Sequence, residues 1–215
     1  METARIAELL LPFTTDLELP PDIFGRLERY LDLLLHWNAR INLTAIRDPE
    51  QIVTRHFGES LFVAKVLFGS TDSPPPSTLA DLGSGAGFPG LPVKLAFSAL
   101  RLTLIESRDK KATFLKEVIR ALNLEDVEVY GGRAQSLERA FDVVTLRAVE
   151  RFEAVLSVAA RLVAPGARLC LLIGASQTGL AERFLAGEIQ WQVERNIAGS
   201  RGTVVKVGRK LATPT

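Results

Sequence analysis

The sequence predicts an α/β protein: a doubly wound parallel sheet that closes on an antiparallel strand pair and carries a helical extension at its N-terminus. Three observations predict it. Residues 1–68 read as helices, and a Gly/Ser/Thr/Pro run at 69–77 then breaks the pattern as a linker would. From residue 78 onward, short and nearly continuous apolar runs alternate with helical stretches, which is how parallel strands covered on both faces read. The last two strand-like runs are separated only by a Gly-containing turn segment, so they pair antiparallel at the sheet edge. The expected division is a helical extension over 1–68, a linker over 69–77 and a catalytic or binding domain over 78–215.

Taken in order, residues 3–11 and 22–44 read as helices. In the second, Ile23, Leu27, Tyr30, Leu31, Leu34 and Ile41 recur at helical spacing with charged residues between them, and Pro20-Pro21 stands just ahead of its start. Asp48-Pro49 offers an N-cap and a first-turn proline for a third helix, which buries Ile52, Val53, Phe57, Leu61, Ala64 and Leu67. Past the linker, strands are expected at Leu79–Leu82, Leu102–Glu106, Val127–Tyr130, Phe141–Leu146 and Arg168–Ile173. Helices are expected at 90–98, Lys110–Leu122, a short stretch near 134–139 and Phe152–Leu162. Trp191–Asn196 and Thr203–Val207 form the closing pair.

Composition narrows the class. A hydrophobic content of 47% in 215 residues supports a buried core, and the single cysteine, Cys170, rules out a disulfide framework and fits a reducing compartment. The first residues carry Glu2 and Glu8 and lack a long apolar stretch, so no signal peptide is expected; no run reaches the roughly 20 residues of a membrane span. The expectation is a cytoplasmic protein with no membrane contact. Net charge is +1, but it is unevenly spread: residues 1–78 hold 7 Lys/Arg against 11 Asp/Glu, and residues 79–215 hold 19 against 14. From Arg195 to the end there is no acid, and Arg195, Arg201, Lys206, Arg209 and Lys210 make a segment that suits phosphate as well as it suits a solubilising tail.

The stretch Thr78-Leu-Ala-Asp-Leu-Gly-Ser-Gly-Ala-Gly-Phe-Pro-Gly-Leu-Pro92 runs a strand into a glycine loop and then a helix. Its spacing satisfies G-x-G-x-x-G from Gly85 to Gly90, with Glu106 21 residues past Gly85, the pattern of a dinucleotide site. Three features oppose a dinucleotide. Asp81 at the strand end repels pyrophosphate, Pro89 and Pro92 remove N–H donors that a phosphate would use, and no acid/base pair for hydride transfer follows. S-adenosylmethionine meets all three: it has no phosphate, an ammonium for Asp81, and a ribose diol for Glu106. The loop residues Gly83, Ser84, Gly85, Gly87 and Phe88 complete the expected cofactor contacts.

The motif order then resembles a known family. Trp37-Asn-Ala-Arg-Ile-Asn42-Leu-Thr44, Arg47-Asp48, Arg55-His56 with Glu59-Ser60, the Asp81–Pro92 loop, Glu106-Ser107 with Lys110-Lys111 and Phe114-Leu115, Arg133-Ala134 and Arg147-Ala148 are similar, in order, to the small-subunit ribosomal RNA methyltransferase G family, also called glucose-inhibited division protein B. The resemblance runs from about Leu27 to Lys210. It implies a Rossmann-like class I methyltransferase sheet that uses S-adenosylmethionine to methylate a guanine N7 in small-subunit ribosomal RNA. It also implies cofactor contacts at Gly83, Phe88, Ala134, Gln135 and Arg147. Two positions depart from the family's pattern: Gln135 stands where Glu is usual, and Ile173-Gly174 where Lys-Gly is frequent. Those departures keep open a non-catalytic RNA-binding or ribosome assembly factor of the same fold.

A ring-nitrogen acceptor fits the rest of the sequence. Guanine N7 carries a lone pair and no proton, so its methylation needs no general base, and none is evident; His36 and His56 lie in the helical extension and are expected to pack there. Trp37 and Asn42 are expected to anchor those helices. Arg147 is the expected catalytic residue, orienting substrate or cofactor by bidentate donation. Arg108, Lys110, Lys111, Arg201, Lys206 and Arg209 are the expected RNA contacts, the first three because cations at a helix start gain nothing from its dipole. The expected partner is small-subunit ribosomal RNA or a 30S particle, with the protein a monomer and no metal.

Overall fold

A computed structural model of the chain describes residues 1–69, 77–147, 152–197, 199–200 and 202–212. Most of the expected linker, and Arg201 with it, lies outside the described residues. The N-terminal part holds α1 (Thr3–Thr14), α2 (Ile23–Asn38), α3 (Pro49–Ile52), a π-helical turn over Val53–Gly58 and α4 (Glu59–Phe68). The Asp48 side chain accepts the Gln51 N–H at 2.9 Å and Pro49 follows it, so the third helix starts as its cap residues dictate. The second helix stops six residues short of expectation, and Asn38 is the reason. Its Oδ1 accepts the N–H groups of Leu43 and Thr44, and its Nδ2 donates to the Thr44 carbonyl, so the chain turns back on a buried side chain.

Beyond residue 77 come β1 (Thr78–Leu82), α5 (Gly90–Ala96), β2 (Arg101–Ile105), α6 (Asp109–Ala121), β3 (Val127–Tyr130), β4 (Phe141–Arg147), α7 (Phe152–Leu162), β5 (Val163–Gly174), α8 (Thr178–Phe184), β6 (Ile189–Asn196) and β7 (Thr203–Lys210). Among the described residues these strands form one sheet in the order β3-β2-β1-β4-β5-β7-β6. The first five are parallel; β7 runs antiparallel between β5 and β6. The chain winds outward from β1 to β3 and returns to place β4 on the other side of β1. That reversal opens a crevice at the carboxyl ends of β1 and β4. The element the sequence did not announce is α8, a short helix with one buried residue, Ala181.

Alternation along the strands divides the core in two. Leu79, Leu102, Leu104, Val143, Cys170 and Val205 face one side and are buried with the apolar stripes of α1, α2, α4, α5 and α6. Ala80, Ile105, Val144, Leu146, Leu169 and Leu171 face the other, under α7 and α8. The N-terminal helices therefore share a continuous core with one face of the sheet, which brings His56, Glu59 and Tyr30 beside the glycine loop.

Candidate active site

The loop after β1 is built from backbone first. Gly83, Gly85 and Gly87 hold φ of 72°, 56° and 92°, values that favour glycine. The N–H groups of Gly83 and Ser84 both donate to the Ile105 carbonyl at the end of β2, and the Ser84 hydroxyl donates back to the Asp81 carbonyl. Gly87 has a packing duty, because a Cβ there would strike the Tyr30 hydroxyl and Leu91. That hydroxyl donates to the Ala86 carbonyl, so a helix of the N-terminal part fastens the loop. Gly87 and the Ser84 hydroxyl thus brace the loop itself, and Ser84 also lines a depression that Arg147 shares.

Asp81 differs from expectation. It is fully buried; register places it beside Thr145, whose Oγ1 donates to Oδ1 at 2.8 Å, and Oδ2 accepts the Gly90 N–H at 3.2 Å. A carboxylate already occupies the start of α5, so neither an ammonium nor a phosphate meets it. Burial pushes its pKa up to about 6, against hydrogen bonds from Thr145, Gly90 and Ser84 that oppose the rise. Gly90 is needed because a Cβ would lie 2.9 Å from Asp81 and from Leu104.

Glu106 follows β2 directly and holds two backbone donors. One carboxylate oxygen accepts the Gly85 N–H at 3.0 Å and the other the Arg108 N–H at 2.8 Å. Each oxygen keeps acceptor capacity for a further donor. The residue forms part of a groove of about 350 Å³, lined also by Gly83, Arg108, Lys111, Ala134 and Gln135, within the usual range of about 300–1,000 Å³ for ligand sites. Arg161 on α7 donates to the carbonyls of Ala134, Gln135 and Leu137, which fixes the turn on the groove's far wall. The open backbone at Gly83, the carboxylate and the apolar wall of Val155 and Val158 fit an adenosine-bearing, phosphate-free cofactor.

A second depression, of about 260 Å³, adjoins the first at Gly83 and Lys111. Arg147, at the end of β4, lines it with Thr44, His56 and Phe88. The Arg147 Nη2 donates to Glu59 at 2.9 Å and to the Arg55 carbonyl at 2.7 Å, and its guanidinium lies 6.0 Å from the Phe88 ring centre. The π turn contributes the Arg55 carbonyl; such turns release backbone groups from regular pairing and are frequent at functional sites. Arg147 thus makes a buried ion pair, while its Nη1 has no hydrogen-bond partner among the described residues. Burial lowers its pKa and raises that of Glu59. His56 bonds within the N-terminal segment as expected, with its Nε2 2.7 Å from the Thr44 Oγ1. It also lies against Phe88, at a centroid distance of 4.8 Å, and burial, reinforced by Arg147, holds its pKa down at about 3. Sequence reasoning missed this grouping because its members are up to 92 residues apart; the one local signal was the Arg55-His56…Glu59 spacing on a single helix face.

The expected RNA contacts divide. Arg108 and Lys110 are exposed at the start of α6, and Lys111 is half-buried between the two depressions. Lys206 is 2% exposed, bonded to Glu182 and Glu194 and 5.2 Å from the Trp191 ring centre, so its charge is neutralised within the sheet and cannot reach phosphate. Arg209 is exposed but pairs with Arg168, whose register on β4 is Val143. That position is four residues back from Arg147, about 13 Å along the strand, at the wrong end of the sheet. Trp37 packs on Phe114, and Asn42 accepts from Arg47 at 3.3 Å, both bracing the N-terminal segment.

Residues 24–201 match the sequence model of the family described as rRNA small subunit methyltransferase G. The chain belongs to that family. A ribosomal RNA small subunit methyltransferase G from Chloroflexus aggregans is 36% identical, covering 99% of this chain and 94% of the relative. Another of that name, from Stenotrophomonas maltophilia, is 37% identical over 84% of each chain. Among solved structures, the ribosomal protein L11 methylase of Lactobacillus delbrueckii is similar in fold, with a TM-score of 0.59 at 16% identity, covering 72% of this chain and 80% of that one. Membership of the methyltransferase G family gives the chain its cofactor, S-adenosylmethionine. Of the two departures from the family pattern, Gln135 is an exposed residue on the groove rim and Ile173 is buried in the core under α7 and α8. No helix among the described residues is long and apolar enough to cross a membrane.

Proposed function

We propose that this protein methylates N7 of a guanine in small-subunit ribosomal RNA, working in the cytoplasm as a monomer on the RNA or on the 30S particle. One observation carries the reading beyond family membership. Two depressions meet at Gly83 and Lys111, one with the carboxylate a ribose diol requires, the other with a buried guanidinium whose Nη1 is unpaired among the described residues. S-adenosylmethionine, when bound, supplies an electrophilic sulfonium methyl. The chain's own residues hold and orient. Gly83, Glu106, Ala134 and Gln135 form the cofactor groove, the Gly85 N–H braces Glu106, and Glu106 accepts from the ribose hydroxyls.

On the acceptor side Arg147 donates to the guanine O6, which leaves N7 unencumbered and rejects adenine, whose amino group has no acceptor there. Glu59 and the Arg55 carbonyl fix the guanidinium so that it loses little freedom on binding. No group is asked to remove a proton, consistent with an imidazole that is neutral at working pH. Arg108, Lys110 and Lys111 hold phosphates near the opening. The test is methyl incorporation from labelled S-adenosylmethionine into unmodified small-subunit particles, with and without ribonuclease treatment. Incorporation that ribonuclease abolishes supports the reading; incorporation that survives it, or none, refutes it. Arg147→Lys, with unchanged turnover and cofactor affinity, refutes the role given to the guanidinium.

A further inference from the structure

The geometry points to His56 as the stacking wall for the acceptor base, contributed by the N-terminal helices rather than by the sheet. The inference rests on the methyltransferase reading above and adds the residue that holds the base. Tyr30, Phe88 and His56 form a pile of rings: Tyr30 on Phe88 at 5.5 Å with planes 10° apart, and Phe88 on His56 at 4.8 Å with planes 24° apart. Tyr30 and Phe88 are buried, whereas His56 is partly exposed and lines the second depression beside Arg147. The pile therefore ends in a ring at the wall of the pocket that adjoins the cofactor groove. Single-stranded bases are held by stacking on such rings, histidine included.

Two further features fix the ring in that role. The Thr44 Oγ1 lies 2.7 Å from His56 Nε2, and Thr44 is itself held by the Ile46 N–H and by Asn38. The imidazole is uncharged, so it offers a flat apolar face beside the Arg147 cation. Polar groups here also await a partner. Of the five buried side-chain atoms without a hydrogen bond among the described residues, four are on Arg55, His56, Glu59 and Arg147; the fifth belongs to Trp191. The Arg55 Nε and the Glu59 Oε1 face each other at 3.8 Å, whereas His56 and Arg147 line the pocket. Unpaired buried groups are rare and call for an explanation, and two at one pocket indicate a polar ligand. A purine whose O6 carbonyl accepts from the guanidinium, leaving N7 open, matches a cation next to a stacking ring.

Two variants separate stacking from hydrogen bonding. His56→Phe keeps a ring and loses the Thr44 contact; His56→Asn keeps a polar group for Thr44 and loses the ring. Each is compared with wild type for melting temperature, S-adenosylmethionine affinity by calorimetry, and kcat/KM on small-subunit particles lacking the modification. The expected result is a loss in kcat/KM of roughly 10- to 100-fold for the Asn variant, with cofactor affinity within about twofold of wild type. The Phe variant should stay within about threefold of wild type. The inference is overturned if the Asn variant is active and the Phe variant is not, if neither loses activity, or if both lose cofactor affinity in step with activity. If the Asn variant fails to fold, the Phe variant decides alone: activity within threefold supports the stacking wall, and a tenfold loss at unchanged cofactor affinity overturns it. Wild-type protein that transfers no methyl to the particles refutes the methyltransferase reading itself, an outcome distinct from any pattern among the variants.

Discussion

Replacing Glu59 by Gln tests how the N-terminal helices are locked to the sheet. Glu59 is 2% exposed at its side chain and Arg147 14%, their nearest atoms are 2.9 Å apart, and Arg55 stands 3.8 Å from the other carboxylate oxygen. The amide keeps the shape of the carboxyl but leaves two guanidinium groups with no compensating charge. Breaking a buried pair in this way costs about 3–5 kcal/mol. Because Arg147 is not wholly enclosed, the lower end applies, so a chain of this length should melt roughly 6–12 °C lower. Removing both partners is a different matter, because no uncompensated ion of the pair remains. The Glu59→Gln/Arg147→Met protein should lose less stability than the sum of the single losses, by about 1 kcal/mol or more. Calorimetric melts of the four proteins give the coupling directly. Single losses that add to within about 0.5 kcal/mol would show that the pair does not lock these elements.

Glu106→Gln presents an amide N–H₂ to one of two backbone N–H groups and weakens acceptance from a ribose; S-adenosylmethionine affinity should fall about 10- to 100-fold by calorimetry, and an unchanged Kd contradicts the assignment. His56 and Asp81 should oppose each other in acid. The depressed His56 pKa gives stability that is full above about 6.5 and is lost as pH falls toward about 3, whereas the raised Asp81 pKa adds stability as pH falls from about 6 to about 4. Asp81→Asn removes only the second effect, so its melting temperature should drop more steeply than wild type between pH 6 and pH 4; parallel curves refute the pairing. Finally, Arg108→Ala and Lys110→Ala should each reduce the salt dependence of RNA binding by about one counterion, while Arg209→Ala leaves it unchanged. An Arg209 effect equal to theirs would show that RNA reaches the far end of the sheet.

The fold was legible because the signals were local. Asp48-Pro49 starts a helix through one side chain and one fixed φ, and the apolar runs at β1, β3 and β4 lie within a residue of where they read. The early end of α2 was not legible, since an asparagine that caps a returning loop looks in sequence like any polar residue inside a helix. The grouping around the first groove was partly legible: Gly83, Glu106, Ala134 and Gln135 line it and Gly85 bonds to Glu106, residues that spacing and family resemblance had singled out. Asp81, Ser84 and Gly87 also brace the loop from within, a duty the sequence does not announce. A glycine loop needs internal fastenings as well as ligand contacts, and a sequence does not say which residue serves which end. Lys206 was misread because a run of basic residues hides partners brought by β6 and α8. The His56–Arg147 pocket could be found only in three dimensions, where a π turn in one segment meets the end of a strand 92 residues on.

The central claim is that the two adjoining depressions bring a methyl donor to a guanine. The most direct measurement digests small-subunit particles after incubation with the protein and methyl-labelled S-adenosylmethionine, then separates the nucleosides. The label should elute as 7-methylguanosine, and Arg147→Lys should strongly reduce it. Label in any other nucleoside, or in ribosomal protein, would contradict it.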